Sequence, residues 1–153
     1  MNNTPMVRIR NVTKLYRRGA EDVRVLDQLE LDVPAGDFLA LMGPSGSGKS
    51  TLLNLIGGLD RPTSGSIEVA GAALEQLGEA ALTRWRADHV GFIFQMYNLL
   101  PVLSAERNVA LPLLLTNLSR SDRARRVAAA LSLVGLGDRA RHKPRELSGG
   151  QEQ

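Results

Sequence analysis

Eight consecutive residues, Gly43-Pro44-Ser45-Gly46-Ser47-Gly48-Lys49-Ser50, limit what this chain can become more than any other stretch of it. They fit G-x-x-x-x-G-K-[ST], in the context that gives this pattern physical meaning. Just before them, Phe38-Leu39-Ala40-Leu41-Met42 is continuously apolar, the expectation for a strand covered on both faces. Just after them, residues 50–56 read as a helix stopped by Gly57-Gly58. Glycines let successive backbone N–H groups turn inward around a phosphate, and the helix N-terminus adds the positive end of its dipole. Lys49 is then placed for β- and γ-phosphates and the Ser50 hydroxyl for Mg²⁺. A glycine-rich turn that fits by accident is expected in about one chain in 300 of this composition, before context is counted. The loop therefore reads as a phosphate cradle. It does not read as a GTPase site, because the guanine-reading N-K-x-D is absent, and Asp88-His89-Val90-Gly91 matches D-x-x-G only as the entry to a strand.

With 153 residues the chain has room for one domain or less. It is 43% apolar and 23% charged, enough to bury a core, but only 4% aromatic, so Leu, Val, Ile and Ala must fill that core. The absence of cysteine excludes disulfides and thiolate metal sites, and two histidines give a zinc site no support. Met1-Asn2-Asn3-Thr4-Pro5 lacks the charged-then-apolar pattern of a secretion signal. The densest apolar stretch, residues 109–115, is interrupted by Pro112 and falls far short of the ~20 residues that span a bilayer. The expectation is a soluble, cytosolic chain in which the N-x-S/T triplets at Asn2, Asn11 and Asn117 are chance matches. Two basic clusters, Arg120/Arg123/Arg125/Arg126 and Arg139/Arg141/Lys143/Arg145, raise the question of nucleic acid or acidic lipid. Alternation with alanine and the lack of interleaved aromatics favour solvated helix faces, so no nucleic acid partner is expected.

Along the chain, Val7-Arg8-Ile9-Arg10 and Leu29-Glu30-Leu31-Asp32-Val33 alternate as strands with one wet face. Pro34-Ala35-Gly36-Asp37 and Pro62-Thr63-Ser64-Gly65 read as turns, the latter leading into a short strand at 67–70. Residues 79–87 look helical, and Val90-Gly91-Phe92-Ile93-Phe94 reads as a second buried strand ending in Gln95. Beyond it Ser104 caps a helix to about residue 115 that Pro112 should kink or shorten. Ser119 and Asp122 resemble a capping box for a helix whose Val127, Leu131 and Val134 share one face and which Gly135 stops. The chain divides into a β-rich, phosphate-binding part, 1–95, and a helical part, 96–153.

The string that selects a family is Leu147-Ser148-Gly149-Gly150-Gln151, a serine cap with two glycines at a prospective helix start. It lies about a hundred residues after the cradle, and together the two resemble the Walker A and signature motifs of ABC transporter ATP-binding subunits. That resemblance implies an α/β P-loop NTPase fold of the ABC type, with a β-rich N-terminal part, parallel core strands and a helical subdomain. It implies ATP and Mg²⁺ as cofactors. Lys49 and Gln95 are then the catalytic residues present, with Ser50 and Gln95 on Mg²⁺ and Gln95 also touching the attacking water. The nucleotide contacts are Tyr16, stacking on adenine, and Gly43, Pro44, Ser45, Gly46, Ser47, Gly48, Lys49, Ser50 and Thr51. Residues 147–151 face the ATP of a second copy in a head-to-tail dimer. Met96-Tyr97-Asn98-Leu99-Leu100-Pro101 looks like the segment that meets transmembrane permease subunits; packing beneath the helical part is the equal rival for its apolar side chains. The implied location is the cytoplasmic face of the plasma membrane.

The wording of Leu55-Ile56-Gly57-Gly58-Leu59-Asp60-Arg61-Pro62-Thr63-Ser64-Gly65, of Gly91-Phe92-Ile93-Phe94-Gln95 and of Tyr97-Asn98-Leu99-Leu100-Pro101 resembles the lipoprotein-release and macrolide- or peptide-export branch. In that family a Walker B strand ending in Asp-Glu and a switch histidine follow the signature, and residues 1–153 contain neither. Glu152 lies on the signature helix, and His89 and His142 precede it, so none can take those roles. Loss of a positioned base lowers rates by ~10²–10⁴, and little or no ATPase activity is expected from these residues alone. A longer protein read in part, a frameshifted gene, a deliberate fragment and a non-hydrolysing remnant all fit. A soluble ABC protein acting on DNA or ribosomes fits less well, because no heptad tract is present.

Overall fold

The computed structural model describes residues 5–153; Met1 to Thr4, with the triplet at Asn2, lie outside them. Two compact units form, Met1–Gly91 and Phe92–Gln153, each with its own core.

The first unit is built on an antiparallel sheet. β1 (Val7–Arg18) and β2 (Glu21–Val33) make a long hairpin that turns at Gly19, whose φ is +66°. β3 (Ser64–Val69) pairs with the other edge of β1, and β4 (Ala72–Ala73) extends β3, giving the order β2-β1-β3-β4. Burial along β1 alternates, but its phase changes once. Val7 and Ile9 face the core, then Val12 and Lys14 do. Between them Asn11 sits at φ +50° where the register shifts, and this one-residue bulge moves even-numbered side chains to the inner face. The sequence pattern showed the first phase and not the second, so the hairpin runs further than the alternation at 7–10 and 29–33 suggested.

Helix α1 (Lys49–Ile56) lays Leu52 and Leu55 on that sheet, and α2 (Glu79–His89) adds Leu82 and Trp85 to the same core. Arg61 and Arg86 tie the elements together: Arg61 donates to the carbonyls of Glu75 and Leu77, and Arg86 to the carbonyl of Gly58 at 2.6 Å.

In the second unit Pro112 ends the helix that starts after Ser104. α3 (Ala105–Ala110) is followed by a 3₁₀ turn, Pro112–Leu115, because proline lacks the donor that would continue the α ladder. α4 (Arg120–Leu133) begins as expected, with Ser119 Oγ accepting from the Asp122 N–H at 3.1 Å, and Gly135 follows its end at φ +72°. Val127 and Leu131 pack on Ala105. A short α5 (Gly149–Glu152) closes the described chain.

The parallel core strands expected at 38–42 and 90–94 are not formed. Phe38 is 93% and Ile93 97% exposed, and neither stretch pairs with any described segment. A parallel strand takes its ladder from neighbours on both edges and its cover from both faces. Among the described residues neither run has such neighbours, so apolar composition alone does not produce a strand.

Backbone contact makes a testable distinction between two glycines. A Cβ on Gly65 (φ +88°) would lie 2.4 Å from the Asn11 carbonyl oxygen, whereas one on Gly36 (φ +80°) meets open space. Gly36→Ala should cost the ~1–2 kcal/mol of left-handed strain, and Gly65→Ala clearly more; equal shifts in chemical denaturation would contradict the bulge geometry.

Candidate functional site

The cradle residues lie together as a turn opening α1. Gly43, Gly46 and Gly48 have φ of +151°, +82° and +87°. The last is confined as well as left-handed, since a Cβ on Gly48 would sit 2.9 Å from Leu26 Cδ2 and 3.0 Å from the Val25 carbonyl oxygen. The hairpin strand β2 thus fixes where the loop enters the helix. Lys49 curls back into the loop and its Nζ donates to the carbonyls of Gly43 (2.9 Å) and Pro44 (2.7 Å) and to Ser47 Oγ (3.2 Å). Ser47 N–H donates to the Pro44 carbonyl at 3.3 Å. Ser45, Ser50 and the other loop positions except Gly48 and Lys49 are exposed, and Thr51 is half-buried. No carboxylate lies among residues 43–51, so ammonium, hydroxyls and glycine-freed N–H groups form a donor set suited to a polyanion and to a cation carried with it.

Tyr16 stands beside this loop. It lies within β1, opposite Val23, and not at a strand end. Its hydroxyl donates to Asp60 Oδ2 at 2.6 Å. The hydrogen bond to the Asp60 carboxylate, followed by burial, pushes the phenol pKa up, with Thr51 acting against them. Beneath the ring is Lys14, only 8% exposed, its Nζ 4.7 Å from the ring centroid. That ammonium donates to Asp60 Oδ1 at 2.6 Å and to the Arg61 carbonyl at 2.7 Å. Burial raises the Asp60 pKa, but hydrogen bonds from Lys14, Tyr16 and the Arg61 N–H outweigh it and leave the carboxyl below its ordinary value. Sequence reasoning singled out Tyr16 and missed Lys14 and Asp60. The K-x-Y spacing was the available signal, because two residues apart on a strand share a face.

Gln95 and the signature residues belong to the second unit. Gln95 is exposed on a turn after Phe92 and Phe94, whose rings stack at 5.5 Å. Tyr97 and Asn98 follow at φ +42° and +53°, a pair of left-handed non-glycine residues. Asn108, which sequence reasoning also missed, holds the next residues: its Oδ1 accepts from the Leu100 N–H at 2.8 Å, and its amide donates to three carbonyls, of Leu100, Leu103 and Ser104. Leu147 packs in the helical core, and Ser148 caps α5, its N–H donating to Gln151 Oε1 at 3.0 Å. Tyr97, Leu147, Gly150 and Gln151 line one cleft of about 510 Å³. The signature segment and the residues after Gln95 therefore share a wall.

The sequence profile of the family described as "ABC transporter" matches residues 26–153. The chain belongs to the ABC transporter family. It is 50% identical over 152 residues to the lipoprotein-releasing system ATP-binding protein LolD of Chromohalobacter salexigens, covering 99% of this chain and 64% of that protein. It is 46% identical over 149 residues to the macrolide export ATP-binding/permease protein MacB of Burkholderia pseudomallei, covering 97% of this chain and 23% of that one. The dimeric post-hydrolysis structure of the ATP-binding cassette MJ0796 with ADP and Pi superposes with a TM-score of 0.87 at 43% identity, over 96% of this chain and 65% of that one. The fold is thus an α/β P-loop NTPase fold of the ABC type, partial beside its relatives: the chain spans 64% of the length of LolD. Among the described residues no helix is long and apolar enough to cross a membrane.

The depressed Asp60 pKa has a signed consequence. Between the folded and unfolded values the unfolded chain binds more protons, so stability rises with pH there. The contribution is complete above the unfolded value of ~3.9 and is lost as pH falls through the lower folded value. Denaturant titrations from neutral to about pH 3 should show the parent chain losing stability more steeply than Asp60→Asn; parallel curves would rule out this linkage.

Proposed function

We propose that this chain binds Mg²⁺–ATP in the cradle formed by residues 43–51 and serves as the ATP-binding part of a transporter that exports lipoprotein-, peptide- or macrolide-type substrates. The observation that carries this reading is the Lys49 ammonium held inside the loop by the carbonyls of Gly43 and Pro44 at the start of α1. Lys49 supplies positive charge to the β- and γ-phosphates, and the glycine-freed N–H groups supply donors around them. Ser50 offers its hydroxyl to Mg²⁺, with Gln95 as the second protein group for the metal and for the attacking water. Tyr16 presents its ring to adenine. Bound Mg²⁺–ATP supplies the phosphoanhydride whose hydrolysis drives transport. The division of labour follows 1–95 as the β-rich, phosphate-binding part and 96–153 as the helical part.

Residues 147–151 are read as facing the ATP held by a second copy in a head-to-tail dimer. The dimeric state of the MJ0796 cassette supports this. Permease subunits are the expected partners of the segment after Gln95, which puts the protein at the cytoplasmic face of the membrane. The names of LolD and MacB support the substrate class. Residues 1–153, taken as a polypeptide by themselves, hold no carboxylate after the signature positioned to activate water, and are read as binding nucleotide with little or no turnover.

Mg²⁺–ATP at about 100 times its Kd should stabilise the folded chain by ~2.7 kcal/mol, read as a thermal shift that Lys49→Ala removes. An equal shift in Lys49→Ala would refute the cradle. Steady phosphate release from residues 1–153 that Lys49→Ala abolishes would refute their inactivity.

A further inference from the structure

The segment Leu59-Asp60-Arg61-Pro62 is left without a role by the function just described, yet its carboxylate is the centre of a polar cluster. Asp60 lies just past the C-terminal end of α1 and accepts from three directions: the Lys14 ammonium at 2.6 Å and the Arg61 N–H at 2.7 Å on Oδ1, and the Tyr16 hydroxyl at 2.6 Å on Oδ2. The bulge at Asn11 makes this possible, because the change of phase places Val12, Lys14 and Tyr16 on one side of β1. Lys14 and Tyr16 are thereby stacked as cation and ring, and a single carboxylate grips both.

We propose that Asp60 is a positioning residue for the nucleotide base: it anchors the Tyr16 hydroxyl with one oxygen and the Lys14 ammonium with the other, fixing the ring beside the phosphate loop. This rests on the reading of Tyr16 as the adenine platform. One ring face is taken by Lys14, so a base can stack only on the opposite one. The cation draws π-electron density towards itself, leaving that opposite face electron-poor, which favours an electron-rich purine. Tyr16 remains 38% exposed, so ring surface is open to a ligand. A tethered ring also gives up less rotamer freedom when the base arrives. Thr51, the third residue of the helix that carries the cradle, belongs to the polar surroundings of the anchored phenol.

The test compares Mg²⁺–ATP with Mg²⁺–tripolyphosphate, which offers the same phosphates without a base, in the full-length gene product. Tyr16→Phe keeps the ring and removes its tether; Asp60→Asn keeps the shape and removes the charge. Each should raise the Kd for ATP about tenfold, the scale of one hydrogen bond to a charged group, and leave tripolyphosphate affinity within about twofold. Tyr16→Ala serves as the reference for the platform itself. If Tyr16→Ala weakens ATP while Tyr16→Phe and Asp60→Asn bind it normally, the platform stands and the positioning role is overturned. If Tyr16→Ala leaves ATP binding unchanged, the platform reading fails and takes the proposal with it, while the phosphate cradle survives. Equal weakening of both probes by Tyr16→Phe and Asp60→Asn would mark a merely structural role and overturn the proposal. Should Asp60→Asn fail to fold, Tyr16→Phe decides alone.

Discussion

A lysine ammonium can be withdrawn almost wholly from water only where opposite charge and hydrogen-bond acceptors meet it at close range. Lys14 is the one buried charged residue among those described, and Asp60 with the Arg61 carbonyl meets that demand. Because Lys14 belongs to β1 and Asp60 follows α1, this pair ties the helix to the sheet. Removing one partner of a fully buried pair costs on the order of 3 kcal/mol; here the loss is smaller, since the Asp60 side chain keeps 29% of its surface in water. The apolar contacts of Leu52 and Leu55 supply adhesion, and the ion pair adds orientation. A helix held along one face can still slide or roll, whereas one also held at a point cannot.

From that anchoring the shape of the cradle follows. α1 starts at Lys49, and the chain reaches it by passing Val25 and Leu26 so closely that a Cβ on Gly48 would crowd the Val25 carbonyl oxygen at 3.0 Å. The glycines of the loop thus answer different demands. Gly46 needs only a left-handed backbone, while Gly48 has that backbone and a crowded Cβ position as well. The Asn11 bulge belongs to the same logic, because without it Lys14 and Tyr16 would lie on the wet face of β1 and the ion pair could not form.

What the sequence disclosed divides along physical lines. Features written by local chemistry were legible: the glycine-rich turn that opens α1, the Ser119–Asp122 cap, the proline that shortens α3 and the glycine that stops α4. Each depends on residues within a few positions of one another. Features that depend on distant partners were not. The strands at 38–42 and 90–94 were read from apolar composition, which says that a segment suits burial and not what buries it. Nothing local marks Lys14 for burial, because its partner Asp60 lies 46 residues away. Among the candidate site residues the cradle and Tyr16 come together in the first unit. Gln95 and the signature residues lie in the second, where Tyr97, Leu147, Gly150 and Gln151 share a cleft that no motif foretold.

Lys49 shows why such a cradle favours a polyanion over the alternatives. Its ammonium already sits against the carbonyl oxygens of Gly43 and Pro44 and the hydroxyl of Ser47, all neutral acceptors. Much of its hydration is therefore already replaced by loop oxygens. Charge-assisted hydrogen bonds are roughly twice as strong as bonds between neutral groups, so exchanging those carbonyls for phosphate oxygens is favourable for Lys49. A neutral ligand would break the same contacts and return only neutral ones. The reach of the side chain adds a second selection. The glycines let the loop N–H groups turn towards one phosphate while the ammonium bridges towards the next, so a chain of phosphates uses both and a single phosphate uses one. On the proposed reading of residues 43–51, a loop shaped by three glycines and by the strand passing behind them selects a polyphosphate tail.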